Sequence, residues 1–197
     1  MEIFGFDAFS PKEIAGRVND FCVVKARMPL LTMWMLGMLA GAFIGLGSLY
    51  FTLVMSDASL GFAAARVAGG VVFSLGLLLV VVAGAELFTG NNFLAMAWAD
   101  GCVSWREVVR NWVVVCAANF VGAAGLALLV YLSGHWEMND GAVGATYLTI
   151  AAAKAALPAW RAFFLGMLCN IVGGSVLVAL VYWVIYLRGR PSGAGSE

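Results

Sequence analysis

Long apolar stretches, broken by short polar ones, dominate this chain. Four apolar runs stand out, over residues 29–55, 67–98, 108–132 and 162–187. Each exceeds the roughly 20 residues that an α-helix needs to cross a hydrocarbon core. The pattern predicts an all-α integral membrane protein. The second run is interrupted by Ala83-Gly84-Ala85-Glu86-Leu87-Phe88-Thr89-Gly90-Asn91-Asn92. A carboxylate, two glycines, a threonine and two asparagines then lie at membrane depth. Lipid cannot hydrogen-bond a loosened backbone, so such a break survives only where it lines a protein cavity or a watery path. Broken helices of this kind mark substrate paths in transporters.

Shorter signals fill the gaps. Residues 134–158 begin polar and end as a short helical stretch over 147–157 that carries Lys154. Ser10-Pro11-Lys12-Glu13 reads as a helix start, with Ser as cap, Pro at the first position and Glu at the third. It predicts a cytoplasmic amphipathic helix within residues 1–28, ahead of a transmembrane domain over 29–188 and a cytoplasmic tail over 189–197. Residues 1–27 are mixed polar with no apolar core, unlike a cleavable signal peptide. Gly37, Ala40, Gly41, Gly45 and Gly47, with Gly122 and Gly125, read as small residues that let helix backbones approach.

Charge sets the orientation. Lys12, Arg17, Lys25 and Arg27 lie before the first run, Arg106 and Arg110 flank the loop after the second, and Arg188 and Arg190 follow the fourth. The loop 133–149 holds Glu137 and Asp140 but no Lys or Arg. The positive-inside rule therefore predicts both termini and the middle loop in the cytoplasm, with Arg66 a minor exception near the outer interface.

Composition agrees. The chain has 197 residues, 63% hydrophobic and 11% charged, with mean hydropathy +0.95. A soluble domain carries about a quarter charged residues. Formal net charge is +0, and nothing points to nucleic acid. Cys22, Cys102, Cys116 and Cys169 have no CxxC spacing and read as small apolar residues. The only histidine, His135, falls in the polar loop, so no zinc or heme constellation and no nucleophile–base pair can be assembled. No cofactor and no enzymatic activity are expected.

Several stretches resemble the formate/nitrite transporter family. They are Ala40-Gly41-Ala42-Phe43-Ile44-Gly45-Leu46-Gly47, Phe73-Ser74-Leu75-Gly76-Leu77, the Glu86-Leu87-Phe88-Thr89-Gly90-Asn91 piece, Asn119-Phe120-Val121-Gly122, Lys154, Gly166-Met167-Leu168-Cys169-Asn170, and Gly173-Gly174 with the run 182–188. The resemblance implies an aquaporin-like fold of six spans in two inverted halves, with a broken second helix. It implies a homopentamer in a bacterial cytoplasmic (inner) membrane, with a pore through each protomer. It implies passage of small monovalent weak-acid anions such as formate or nitrite, with proton coupling as an open feature. By the same resemblance, Phe73 and Leu77 match the cytoplasmic constriction. Leu87, Phe88, Thr89, Gly90 and Asn91 match the loop that interrupts the second helix, with Thr89 facing the pore centre. Lys154 matches a lysine near the outer mouth, and Asn170 an asparagine of the fourth or of the sixth helix.

The chain departs from the family pattern at one place. There the Leu-Cys-Asn motif and the Asn-Ile-Val-Gly-Gly motif are separated by the rest of helix four and all of helix five. Here they share Asn170, and the block carrying the central histidine is missing. The chain reads as internally deleted, with four apolar runs instead of six spans. An in-frame deletion, an unusual gene product and a sequence from a longer protein all fit.

Individual residues keep two readings. Thr89 either hydrogen-bonds an anion or recaps the broken helix. Glu86 would repel an anion in the pore and reads as structural, uncharged or tied to loop amides. Lys154 either gathers anions at the mouth or snorkels at the surface. Phe73 and Leu77 share one helix face, as an apolar gate passing the neutral acid or as ordinary packing residues. The whole chain is either an anion channel or a transport-impaired subunit that only assembles with itself or relatives.

Overall fold

The computed structural model describes residues 9–158, 160–161 and 171–188. Among them the regular elements are all helical. They run α1 (Pro11–Ala26), α2 (Leu30–Met55), α3 (Phe62–Val82), α4 (Phe88–Asn91), α5 (Leu94–Ala99), α6 (Trp105–Leu132) and α7 (Ala142–Ala155), then a helix of largely π geometry, α8 (Val172–Leu187). A single 3₁₀ turn, His135–Glu137, lies between α6 and α7. Helices α2, α3 and α6 are long and apolar enough to cross a membrane; α8 is shorter. Residues 162–170 of the fourth apolar run, with Cys169 and Asn170, lie outside the described residues, as does the tail after Arg188.

The helix boundaries have local causes. At α1 the Ser10 backbone N–H and hydroxyl both donate to the Glu13 carboxylate at 2.7 Å, while the Glu13 N–H donates to the Ser10 hydroxyl at 3.4 Å. This closed capping box matches the predicted start. Ser104 and Glu107 repeat it at the head of α6, with the same 2.7 Å donors and a 3.3 Å return bond. That box starts α6 at Trp105, ahead of the apolar run at 108. Helix α3 likewise starts at Phe62, five residues before its run, with the Arg66 guanidinium over the Phe62 ring one turn away. Helix α7 starts at Ala142, after Gly141 in the left-handed region, and so precedes the stretch expected over 147–157.

Helix α3 stops within apolar sequence. Gly84 takes φ +61°. Its N–H donates to Val81 O at 3.2 Å, and Ala85 N–H reaches back to Val80 O at 2.9 Å. That pair of bonds is the Schellman closure, which needs the left-handed residue that glycine adopts without a Cβ penalty. Residues 83–87 are non-helical, and helix resumes at Phe88.

The described residues form two compact units. One gathers residues 9–30, 88–113 and 171–188; the other gathers 31–87, 114–158 and 160–161. In the first unit, α1 buries Ala15, Asn19, Cys22 and Ala26 along one face. Cys22 and Ala26 pack with Leu94, Ala97, Val103 and Val108, and Ala15 packs with Ala95, Met96, Ala179 and Leu187. The Asp100 carboxylate joins three elements there. It accepts from Asn19 Nδ2 at 3.2 Å, Cys102 Sγ at 3.5 Å and Trp183 Nε1 at 3.2 Å.

In the second unit, small residues set helix distances. A Cβ on Gly41 would collide with the Asn119 carbonyl, and one on Gly122 with the Met38 carbonyl, so α2 and α6 touch backbone to backbone. A Cβ on Gly47 would come 2.7 Å from Phe73 O, and one on Gly76 would come 2.8 Å from Phe43 O, so α2 and α3 meet the same way. Without a hydrophobic drive between helices in lipid, such approach is a main source of association.

Candidate functional site

The polar stretch of the second apolar run supplies candidate residues to each of the two units. In the second unit, Ala85 packs with Ala40 and Val80, with Phe43, Ile44 and Leu87 around them. Glu86 is 1% exposed. Its N–H donates to Leu36 O of α2 at 3.2 Å, and its carbonyl accepts from Asn119 Nδ2 at 2.8 Å. Leu87 is half-buried. Phe73 and Leu77 lie four residues apart on α3 and stand 39% and 53% exposed, so neither is a core residue of this unit. The Phe73 ring meets Phe51 edge-on at 6.5 Å. Lys154 is exposed in the last turn of α7, where a cation is favoured beside the unpaired carbonyls.

In the first unit, α4 is four residues long. Phe88 is buried, its ring 6.4 Å from that of Trp112. Thr89 and Gly90 are exposed. Asn91 is fully buried and held on three sides. Its Nδ2 donates to Asn111 Oδ1 at 2.8 Å, its Oδ1 accepts from Lys25 Nζ at 3.1 Å, and its carbonyl accepts from Trp112 Nε1 at 2.9 Å. Asn111 Nδ2 in turn donates to Lys25 O at 3.2 Å, and Ser175 Oγ donates to Asn92 O at 3.0 Å. Such satisfaction is what a buried amide requires where water is absent.

The predicted site residues therefore divide by environment. Thr89 and Gly90 present themselves; Asn91 and Phe88 form the underside that holds them. Asn170 lies outside the described residues. Lys25, Asn111, Trp112 and Asn119 are not among the predicted site residues, since the sequence marks them only as loop charge, apolar run and part of a family motif, yet they bond the polar stretch. A cavity of about 880 Å³ lies between α2, α6 and α7, lined by Gly45, Leu126, Trp136 and Leu148 among others; none of the predicted site residues lines it.

The loop ahead of α6 carries one titratable thiol. Burial pushes the Cys102 thiol above its ordinary value, the Asn19 hydrogen bond opposes this, and the Asp100 carboxylate adds to the rise. The thiolate is the reactive form. Iodoacetamide labelling of Cys102 at about pH 8, mapped by mass spectrometry, is expected to be several-fold slower than for an ordinary thiol and to accelerate as pH rises. Fast labelling at neutral pH would contradict it.

A sequence profile described as formate/nitrite transporter matches residues 12–172. The formate channel FocA of Haemophilus influenzae is 33% identical over 180 residues, which is 91% of this chain and 62% of that protein. FocA of Escherichia coli is 34% identical over 182 residues, 92% of this chain and 62% of that protein. The formate channel BtFdhC of Bacillus thuringiensis is 37% identical over 179 residues, 89% of this chain and 66% of that protein. Among solved structures, a pentameric formate channel with formate bound superposes with TM-score 0.63 at 32% identity, covering 82% of this chain and 62% of that one. The chain thus spans about three fifths of the length of the FocA relatives it matches.

Proposed function

Since the chain belongs to the formate/nitrite transporter family, we propose that it is a membrane channel for small monovalent weak-acid anions, formate first and nitrite second. One observation carries the reading. Thr89 and Gly90 are exposed on a turn whose next residue, Asn91, is buried and anchored by three hydrogen bonds. A hydroxyl held open by so firm an underside, in the middle of an apolar run, suits recognition of an anion in a dry passage. Thr89 donates to the anion. Leu87, Gly90 and Asn91 shape the interruption of the second helix. Phe73 and Leu77 form an apolar constriction that a bare anion crosses at high cost, which favours crossing as the neutral acid and hence coupling to a proton. Lys154 attracts anions to the outer mouth.

The same reading assigns an aquaporin-like protomer in a homopentamer of the bacterial inner membrane, with both termini cytoplasmic. Residues 1–28 form a cytoplasmic helix, 29–188 the channel domain and 189–197 the tail. A second reading has its own support. The chain spans 62% of the FocA relatives, and the two motifs that meet at Asn170 are separated in the family pattern. An internal deletion there would leave a subunit that assembles and conducts nothing.

Labelled formate uptake into proteoliposomes separates the two. Uptake well above that of empty vesicles is the expected result. Uptake equal to that of empty vesicles, from protein that still assembles, would overturn the channel reading in favour of the assembling subunit.

A further inference from the structure

Asn119 lies where α2 and α6 touch. Gly41 packs under its carbonyl and Gly122 packs under that of Met38, so no side chain separates the two backbones. At this level the Asn119 amide donates two hydrogen bonds from one nitrogen. One goes to Gly37 O of α2 and the other to Glu86 O of the non-helical segment 83–87, each at 2.8 Å. The neighbouring α2 carbonyl, Leu36 O, accepts the Glu86 N–H at 3.2 Å. Two consecutive carbonyls of α2 are thereby joined to the two backbone groups of Glu86, one directly and one through Asn119.

A carbonyl oxygen is a partial negative charge. Left free beside an anion's route, it would repel the anion and attract cations, as backbone carbonyls do in cation filters. Buried in an apolar setting without a donor, it would also cost free energy comparable to a lost hydrogen bond. Asn119 removes both problems with one amide, because its nitrogen carries two hydrogens and both point at carbonyls.

We propose that Asn119 is the positioning residue of the passage: it fixes the course of residues 83–87 and turns the Glu86 carbonyl away, so that anion selectivity depends on it. The inference rests on the anion-passage reading for its selectivity and on geometry alone for its positioning.

Two variants test it in nanodiscs and proteoliposomes. Asn119→Leu keeps the volume and removes both donors. Asn119→Asp keeps the shape and can donate only when protonated. Hydrogen–deuterium exchange over 83–87 and over α1 reads position; formate flux and the formate-to-potassium permeability ratio read passage. In Asn119→Leu the Glu86 amide should exchange about tenfold faster, the α1 amides should be unchanged, and flux and selectivity should both fall about tenfold, the factor for the one of the two lost hydrogen bonds that reaches the segment, at Glu86 O. Asn119→Asp, which covers a failure of the leucine variant to fold, has one donor when protonated and should recover part of the wild-type exchange and flux as pH falls, each compared with wild type at the same pH. Wild-type exchange in Asn119→Leu, or in Asn119→Asp at every pH, would overturn the positioning role. Faster exchange with flux and selectivity intact would overturn the role in passage. If wild type itself carries no formate, the channel reading fails and exchange alone decides whether Asn119 holds the segment.

Discussion

Gly122→Val is expected to destabilise the protein by about 4 kcal/mol, while Gly125→Val, three residues on in the same helix, changes it by less than about 0.5 kcal/mol. The contrast follows from where each Cβ would go. At Gly122 it meets the backbone carbonyl of Met38; at Gly125 it meets nothing within 4 Å. A flexible side chain can step aside, but a helix backbone cannot. The new methyl groups must push α2 from α6, and Asn119 then loses its reach to Gly37 O and Glu86 O. Helix propensity is the same for both substitutions and cancels. The fraction of protein that stays monodisperse during stepwise denaturation in detergent reads the difference. Equal losses at the two positions would mean that the close approach does not hold these helices together.

Those two glycines look alike in the sequence, and that marks where sequence reading runs out. Small residues at helix spacing announce close packing, but only the partner backbone tells Gly122 from Gly125. Boundaries were more legible than they first looked. Ser10 and Glu13 announce the start of α1, and Ser104 with Glu107 carry the same signal for α6. An apolar-run criterion passes over that second box, because Trp105, Arg106 and Glu107 are not a run. The start of α3 is hidden for a similar reason: Arg66 interrupts the apolar pattern of the first turn, although its guanidinium lies over the Phe62 ring. The stop of α3 is written in Gly84, a few residues before the polar cluster that draws the eye. The family of the chain was legible in the motifs around Glu86–Asn91 and Asn119. The environments of those residues were not. Asn91 is buried because Lys25 and Asn111 reach it from sequence distances of 66 and 20 residues. No periodicity encodes such partners; they exist only once the helices have packed.

That division of labour between neighbouring residues gives the second large effect. Asn91→Leu is expected to lower stability by about 3 kcal/mol, because it removes from a fully buried position the amide that accepts from Lys25 Nζ and donates to the buried Asn111 Oδ1. Thr89→Val removes an exposed hydroxyl of nearly the same volume and should leave stability within about 0.5 kcal/mol. Flux should reverse the order of interest. A hydrogen bond to an anion in a dry passage is charge-assisted, and losing it should slow formate uptake about tenfold in folded Thr89→Val protein. Asn91→Leu should lose flux in proportion to the folded fraction, since the amide faces Lys25 and Asn111. Denaturation midpoints and uptake per folded protomer, measured on the same preparations, separate the two. Full flux in Thr89→Val would remove its hydroxyl from the passage and leave it as a helix cap. A per-protomer loss in Asn91→Leu larger than in Thr89→Val would move the anion contact from the exposed hydroxyl to the buried amide.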